Sequence, residues 1–463
     1  MNNLDFLSII DEKKQLLEDT ALFLWEHPET AFTEFESAKY LCKVLRDEGF
    51  EVTENLAGIS TAFCGRFGSG KPVIGLLGEF DALSGLSQTA AATEKCTAGG
   101  DAGHGCGHNL LGTGSLGAAI AAKRYLEMTG KPGTVIYYGC PGEEGGSGKA
   151  FMARDGVFDE LDAALCWHPS TMNAVRVKTS LANCQVLYKF DGQSAHAGVN
   201  PHLGRSALDA VELMNVGVNY MREHMISAAR VHYAITDTGG FSPNVVQPHA
   251  EVLYLIRAPH NSQVKELYER VCNIAEGAAL MTGTRASHDF IKACSNTVLN
   301  HPIQQTMYEI MQALGDPVVT EEDIAYAKAL TEAALMGNPK ADPEAPIALG
   351  VDPYTNIVEA SFGSTDVGDV SWVCPTAQIF GACLAKGTPG HSWQQTTQSA
   401  APLALRTTLY VSKVLGATAV ELLTDPDLLA RAKEEHRRLV GPKGYECPIP
   451  KGVEPRSMSS LSK

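Results

Sequence analysis

Apolar positions along the chain alternate between two periods, and the alternation outlines the fold. Leu4, Phe6, Leu7, Ile10, Leu16 and Leu17 recur at helical spacing until His27-Pro28 ends the pattern. A second amphipathic helix is predicted over about 35–48, leading into Phe50-Glu51-Val52. Unbroken apolar runs then mark buried strands at 72–77 (PVIGLL), 134–138 (TVIYY) and 163–167 (AALCW). A helix rich in small residues is expected over 110–128, and another begins at 148–154. Strands alternating with helices predict an α/β fold, a mainly parallel mixed sheet with helices on both faces.

The pattern changes near Asn183. Strand CQVLYKF, helix 206–223, strands RVHYAIT and EVLYLIR, helix 262–281 and strand ASHDFIKA give the βαββαβ order of a ferredoxin-like unit. The chain therefore reads as a catalytic domain of residues 1–182 and 297–463, with an α+β domain inserted at 183–296. A helix near 302–314, a strand in VCPTAQIFGACLA and a helix over 401–423 complete the outer domain. Residues 316–358, richer in Pro, Asp and Glu, read as a helical excursion with a long loop.

Composition narrows the function classes. Thirty-seven basic against fifty-three acidic residues give a formal charge of −16, which argues against nucleic-acid or anionic-membrane partners. Twelve Cys in 463 residues are too sparse for a disulfide scaffold, and several sit inside apolar runs. The apolar stretches are too short and Gly-broken to span a bilayer, and MNNLDFLSIIDEKKQ lacks the basic start of a signal peptide. A cytoplasmic protein is expected.

The candidate chemistry lies in HGCGHNLLG, VIYYGCPGEEGGSGK, AALCWHPS and TPGHSW. Cys106, His108, Glu143, Glu144, His168 and His391 supply the thiolate, imidazole and carboxylate donors of a borderline divalent metal such as Zn²⁺. Asp81, Glu143-Glu144 and His168 each follow a predicted strand, where ligands of parallel sheets bind. One carboxylate of the Glu143-Glu144 pair is spare and can act as a base. The bland alternatives are a solvated acidic turn and two satisfied loop histidines. A phosphate loop in GEEGGSGK fails, because Glu143 stands where Gly is needed and Ala150 follows Lys149. A metal-free hydrolase with Cys106 as nucleophile stays open on these residues alone.

Longer blocks add a resemblance: WEHPET, GKPVIGLLGEFDALSGLSQ, GHGCGHNLLGT, YYGCPGEEGGSGK, HLGRSALDAV, RVHYAIT, SPNVVQ, AEVLYLIRAP, AEGAALMTG, STDVGDVSW and CPIPK. They span nearly the whole chain, which resembles the aminoacylase/carboxypeptidase family of co-catalytic metallopeptidases and amidohydrolases, in its Cys-Gly-His branch. The resemblance implies a metal-dependent exopeptidase fold holding two divalent ions, Mn²⁺ or Zn²⁺. Cys106 would stand between them, with His108 and His168 on one and Glu144 and His391 on the other. It further implies Glu143 as general base and His196 as oxyanion donor. Asn244 and Arg257 would bind the substrate carboxylate together, and the inserted domain would be lid and dimerisation unit. Glu79 departs from the family pattern by replacing a ligand His, so Asp81 is expected to orient a ligand rather than bind metal. The implied reaction is hydrolysis of an N-acyl amino acid, with p-aminobenzoyl-glutamate as substrate. Another acyl-amino acid or a dipeptide is the alternative substrate. The implied partner is a second copy or a related chain, with little activity alone as the remaining alternative.

Overall fold

In the computed structural model, which describes residues 4–457, eleven strands build the two larger sheets. In chain order they are β1 (Glu51–Glu54), β2 (Phe63–Ser69), β3 (Val73–Glu79), β4 (Gly133–Cys140), β5 (Ala163–Ser170), β6 (Ala174–Val175), β7 (Ala182–Asp191), β8 (Arg230–Asp237), β9 (His249–Ala258), β10 (Arg285–Cys294) and β11 (Thr376–Ala382). The chain divides into two compact units. Among the described residues the first comprises 4–178, 298–359 and 370–445, and the second 179–297, 360–369 and 446–457. The inserted unit therefore takes in two further stretches, 360–369 and 446–457, that the sequence boundaries assign to the outer domain.

The first unit carries a seven-stranded sheet in the order β1-β2-β4-β3-β5-β11-β6. Strands β4, β3, β5 and β11 run parallel, and antiparallel β1, β2 and β6 flank them. The parallel strands are buried on both faces, which is why they read as continuous apolar runs. Ile74, Leu76, Val135, Tyr137, Leu165, Trp167 and Ile379 enter the core with Leu110, Leu111, Val411, Val414 and Leu415 from two long helices, His108–Thr129 and Pro402–Thr424. Each fully buried side chain of this size contributes about 1.5–3 kcal/mol. The indole of Trp167 also donates to the Leu111 carbonyl at 3.0 Å, which ties β5 to the helix that begins at His108.

Some elements depart from the hydrophobic pattern. The N-terminal helix breaks into Asp5–Leu7, Ser8–Glu12 and Lys14–Glu26. Strand β2 goes unpredicted because Gly65 and Gly68 interrupt its alternation, and the polar helix Pro426–Val440 likewise. The strand expected in VCPTAQIFGACLA shortens to β11, because Val367–Val373 is helical. In the excursion, Thr320 caps the helix Glu321–Leu330 through the Asp323 amide. Ala327, Leu330, Leu335 and Ile347 form a small core there with Ala385 and Leu403.

The second unit is a four-stranded antiparallel sheet in the order β10-β7-β9-β8. Val252, Tyr254 and Ile256 alternate inward along β9, and the helices Ala207–Met221 and Asn261–Thr282 supply buried partners such as Val211, Met214 and Val271.

Candidate metal centre

Parallel strands end on one edge of the sheet, and that edge gathers the predicted donors in the first unit. Glu79 closes β3 and Asp81 follows it; Glu143-Glu144 follow β4; His168 lies near the end of β5. Cys106 and His108 straddle Gly107, whose φ of +78° suits glycine, and a Cβ there would lie 2.9 Å from Pro169. The chain thus turns tightly enough to send thiol and imidazole to one place.

Cys106, His108 and His168 form one group whose donor atoms all lie within 4.8 Å of one another. Cys106, Glu144 and His391 form a second, sharing the sulfur, and Glu79, His108 and Glu143 a third. The Cys106 sulfur is 3.3 Å from His168 Nε2, and His391 Nε2 is 3.2 Å from Glu144 Oε1. His108 Nδ1 meets Asp81 Oδ1 at 2.9 Å, while Asp81 Oδ2 accepts the Glu144 amide at 2.9 Å. His168 Nδ1 lies 2.8 Å from the Pro169 carbonyl, which makes Nδ1 the protonated nitrogen and leaves Nε2 a lone pair toward the sulfur.

His391 reaches the group from an exposed loop with a left-handed φ of +52°, and its amide donates to the Gly105 carbonyl at 3.1 Å. That backbone geometry costs a non-glycine residue about 1–3 kcal/mol and persists only where the surroundings hold it.

The electrostatics are those of a crowded acidic site. Enclosure pushes the Cys106 thiol well above its ordinary value, and the Glu144 carboxylate adds to the effect. Burial opposes charge on His108, yet Cys106 and Asp81 outweigh it and raise its pKa. Burial and His108 together lower His168 to about 4, so that imidazole is neutral. His104 is buried and lowered to about 4, with Nε2 2.9 Å from the Leu24 carbonyl; it packs behind the site.

The donor set fits divalent ions. His108 Nε2 and Glu144 Oε1 are buried without a well-aligned hydrogen bond, although Glu79 Oε2 lies 3.2 Å from the former and His391 Nε2 3.2 Å from the latter. A buried imidazole nitrogen and carboxylate oxygens crowded in this way, beside a thiol that a cation would hold as thiolate, are what a metal satisfies.

Two buried groups here escape sequence reasoning. Lys149, fully buried, pairs with Glu79 at 2.8 Å. Its only sequence signal is a lone lysine in the small, apolar helix start GKAFMAR. Glu34 is buried and accepts from the amides of Phe32 and Gly142 at 2.9 Å each, and from the Thr61 hydroxyl at 2.9 Å. It therefore anchors the turn that precedes Glu143. Burial, then the Asp81 charge, raise its pKa to about 8. Nothing local in AFTEFE distinguishes it from a surface acid.

His196, Asn244 and Arg257 lie in the second unit. His196 is exposed, and its Nδ1 accepts from the Gly198 and Val199 amides at 3.2 Å each, so the neutral ring carries its proton on outward Nε2. Ala197 donates to the Asn244 carbonyl at 2.9 Å, and His196 bridges Val245. These contacts continue the β7–β9 pairing beyond Asp191 and His249. Arg257, opposite Asn183, is near the other end of β9, more than roughly 26 Å away at about 3.3 Å per residue. The expectation that Asn244 and Arg257 meet over one pocket is thus corrected for a single chain: the extended ladder separates them.

The family model "Peptidase family M20/M25/M40" matches residues 75–394. The chain is 48% identical over 467 residues to a p-aminobenzoyl-glutamate hydrolase subunit of Escherichia coli (strain K12), covering 96% of this chain and 97% of the relative. It is 27% identical to the Xaa-Arg dipeptidase of Mus musculus, over 92% and 90% of the two chains. Among solved structures, a putative aminohydrolase from methicillin-resistant Staphylococcus aureus shares the fold at TM-score 0.64 and 18% identity, over 92% of this chain and 100% of that one. The aminobenzoyl-glutamate utilization protein from Klebsiella pneumoniae does so at TM-score 0.60 and 16% identity, over 88% and 98%. The chain belongs to peptidase family M20/M25/M40 and is a hydrolase.

Proposed function

We propose that this protein is a two-metal amidohydrolase that cleaves p-aminobenzoyl-glutamate with water to p-aminobenzoate and glutamate. The observation that carries the chemistry is the pair of donor groups that share Cys106, each with its donor atoms within 4.8 Å of one another. The substrate rests on the 48% identity to the Escherichia coli hydrolase chain. Cys106 would lie between the ions, His108 and His168 would hold one, and Glu144 and His391 the other. Thiolate and imidazole donors favour Zn²⁺, and the carboxylates also suit Mn²⁺. Bound there, the ions would polarise the scissile carbonyl and acidify a water.

The residues of the chain do the rest. Glu143 takes the proton of the attacking water and delivers it to the leaving aromatic amine. His196 donates Nε2–H to the developing oxyanion. Arg257 and Asn244 bind carboxylate oxygens of the glutamate. Because β9 separates Arg257 from His196 and Asn244, contributions of all three to one substrate require two copies of the chain. Strand β8 is an exposed sheet edge bearing Tyr233 and Ile235, a surface suited to pairing with a second copy or with a related chain. Among the described residues no helix is long and apolar enough to cross a membrane, and all twelve cysteines are free thiols, in keeping with a cytoplasmic enzyme.

The deciding experiment is elemental analysis of the purified protein together with glutamate release from p-aminobenzoyl-glutamate, with and without chelator. Turnover without metal overturns the metal reading. Metal-dependent turnover of an Xaa-Arg dipeptide but not of p-aminobenzoyl-glutamate overturns the substrate reading.

A further inference from the structure

The ligands proposed for the two ions are not held equally well. Cys106, His108 and His168 sit at a helix start and on a central strand, whereas His391 is exposed on a loop and left-handed at φ +52°. A ligand must stay within about 0.5 Å of its working position, so something must restrain that loop.

The His391 amide bond to the Gly105 carbonyl is one restraint, and the excursion that follows the helix Glu321–Leu330 supplies others. Asn338 Nδ2 donates to the Gly387 carbonyl at 2.7 Å, and the Lys386 amide donates to the Pro346 carbonyl at 2.7 Å. Gly387 has φ +84°, and a Cβ there would lie 2.7 Å from the Ala341 nitrogen, so backbone packs directly on backbone. The donating segment is itself a fixed turn. The Asn338 amide donates to the Leu335 carbonyl at 3.1 Å, the Ala341 amide to the Asn338 carbonyl at 3.0 Å, and the Lys340 amide to Asn338 Oδ1 at 3.0 Å. Beyond His391 the same excursion grips again. Trp393 packs on the cluster of Ala327, Leu330, Leu335 and Ile347, and Gln394 Nε2 donates to the Ala334 carbonyl at 3.4 Å. His391 is thus flanked by the loop at Lys386-Gly387 and by the start of the helix Trp393–Gln398, both fastened to one external segment.

We propose that residues 334–346 are a positioning brace for His391, with Asn338 its key side chain, and that the brace sets the affinity of the ion on the Glu144–His391 side. This rests on the two-metal reading above. The remaining ligands do not depend on these contacts, so loss of the brace weakens one ion and spares the other.

The test titrates Zn²⁺ and, separately, Mn²⁺ into metal-free full-length protein, comparing wild type with Asn338→Asp, Gly387→Ala and His391→Ala. Asn338→Asp keeps an acceptor for the Lys340 amide but turns an oxygen toward the Gly387 carbonyl. Gly387→Ala breaks the brace independently, through φ and the contact with Ala341. The expected result is two ions in wild type, with the second bound at least about tenfold more weakly in both brace variants, approaching His391→Ala. The first ion should hold in both variants, and the thermal midpoint of the metal-free protein should hold in Asn338→Asp; Gly387→Ala, strained by its φ, is read by the ratio of its two affinities. Asn338→Ser, which retains a donor, should restore part of the second affinity. A merely structural role would lower the metal-free midpoint and weaken both ions alike, and would overturn the proposal, as would wild-type affinity for both ions in either brace variant. A wild type that binds fewer than two ions would instead overturn the reading on which the proposal rests.

Discussion

Asp81 Oδ1 lies 2.9 Å from His108 Nδ1, and that contact directs the other ring nitrogen, Nε2, toward the remaining donors. The second oxygen of Asp81 accepts the Glu144 amide, so one carboxylate orients donors from both groups. Asp81→Asn should therefore lower metal affinity by about 10–100-fold while leaving the ligand count intact. Equilibrium competition with a chelator of known affinity measures this. Unchanged affinity would mean that His108 is oriented by its backbone alone.

Cys106→Ala should remove bound metal and activity together, because its sulfur belongs to both donor groups. Elemental analysis and a turnover assay on the same preparation decide it. Full metal content with full turnover would sink the assignment of the site.

The two adjacent glutamates should separate under mutation. Glu144 lies 3.2 Å from His391, whereas Glu143 groups with Glu79 and His108. Glu143→Gln should keep metal and reduce kcat by at least about 10²-fold, the scale of general-base catalysis. Glu144→Gln should instead weaken metal binding. If the two variants behave alike in both measurements, base and ligand have been wrongly divided.

Glu34 gives a pH dependence of stability with a definite sign. Its folded pKa is raised to about 8 from 4.5, first by burial and then by Asp81. Between those values the folded protein keeps a proton that the unfolded chain has released. Its contribution to stability is therefore complete below about 4.5 and is lost as pH rises through about 8. Glu34→Gln, neutral at every pH, should flatten that decline, by up to about 1.4 kcal/mol per pH step. Denaturant melts of metal-free wild type and variant at pH 5 and pH 9 provide the comparison. Parallel curves would show that the Glu34 charge is tolerated by the fold.

Arg257→Ala should lower kcat/KM by about ten- to a few-hundredfold, the scale of a lost charge-assisted carboxylate contact, and erase much of the preference for a free acid over its carboxamide. His196→Ala should lower kcat. If each site draws Arg257 from one chain and His196 from another, mixing the two inactive variants should restore activity. One of the two sites in a mixed dimer would then carry both residues intact. Co-refolded mixtures that stay as inactive as either variant would show that one chain supplies both groups, or that Arg257 is a surface strand residue.

The buried parallel strands and the helix from His108 were legible in the chain because full burial writes itself as unbroken apolar runs. The candidate donors were legible as a group because Cys, His and Glu side chains fall where such strands end, and parallel strands end on one edge. Strand β2 was not, since Gly65 and Gly68 erase its alternation and its pairing with β4 is a long-range fact. Glu34 and Lys149 read as ordinary surface charges, because burial and partners 108 and 70 positions away are properties of the folded chain. Arg257 and Asn244 look close at 13 residues apart, and only the extended ladder of β7 and β9 shows how far along the sheet it carries them from each other. Local composition decides which residues can do chemistry; the tertiary structure decides which of them meet, because meeting depends on the register and direction of strands that sequence spacing does not record.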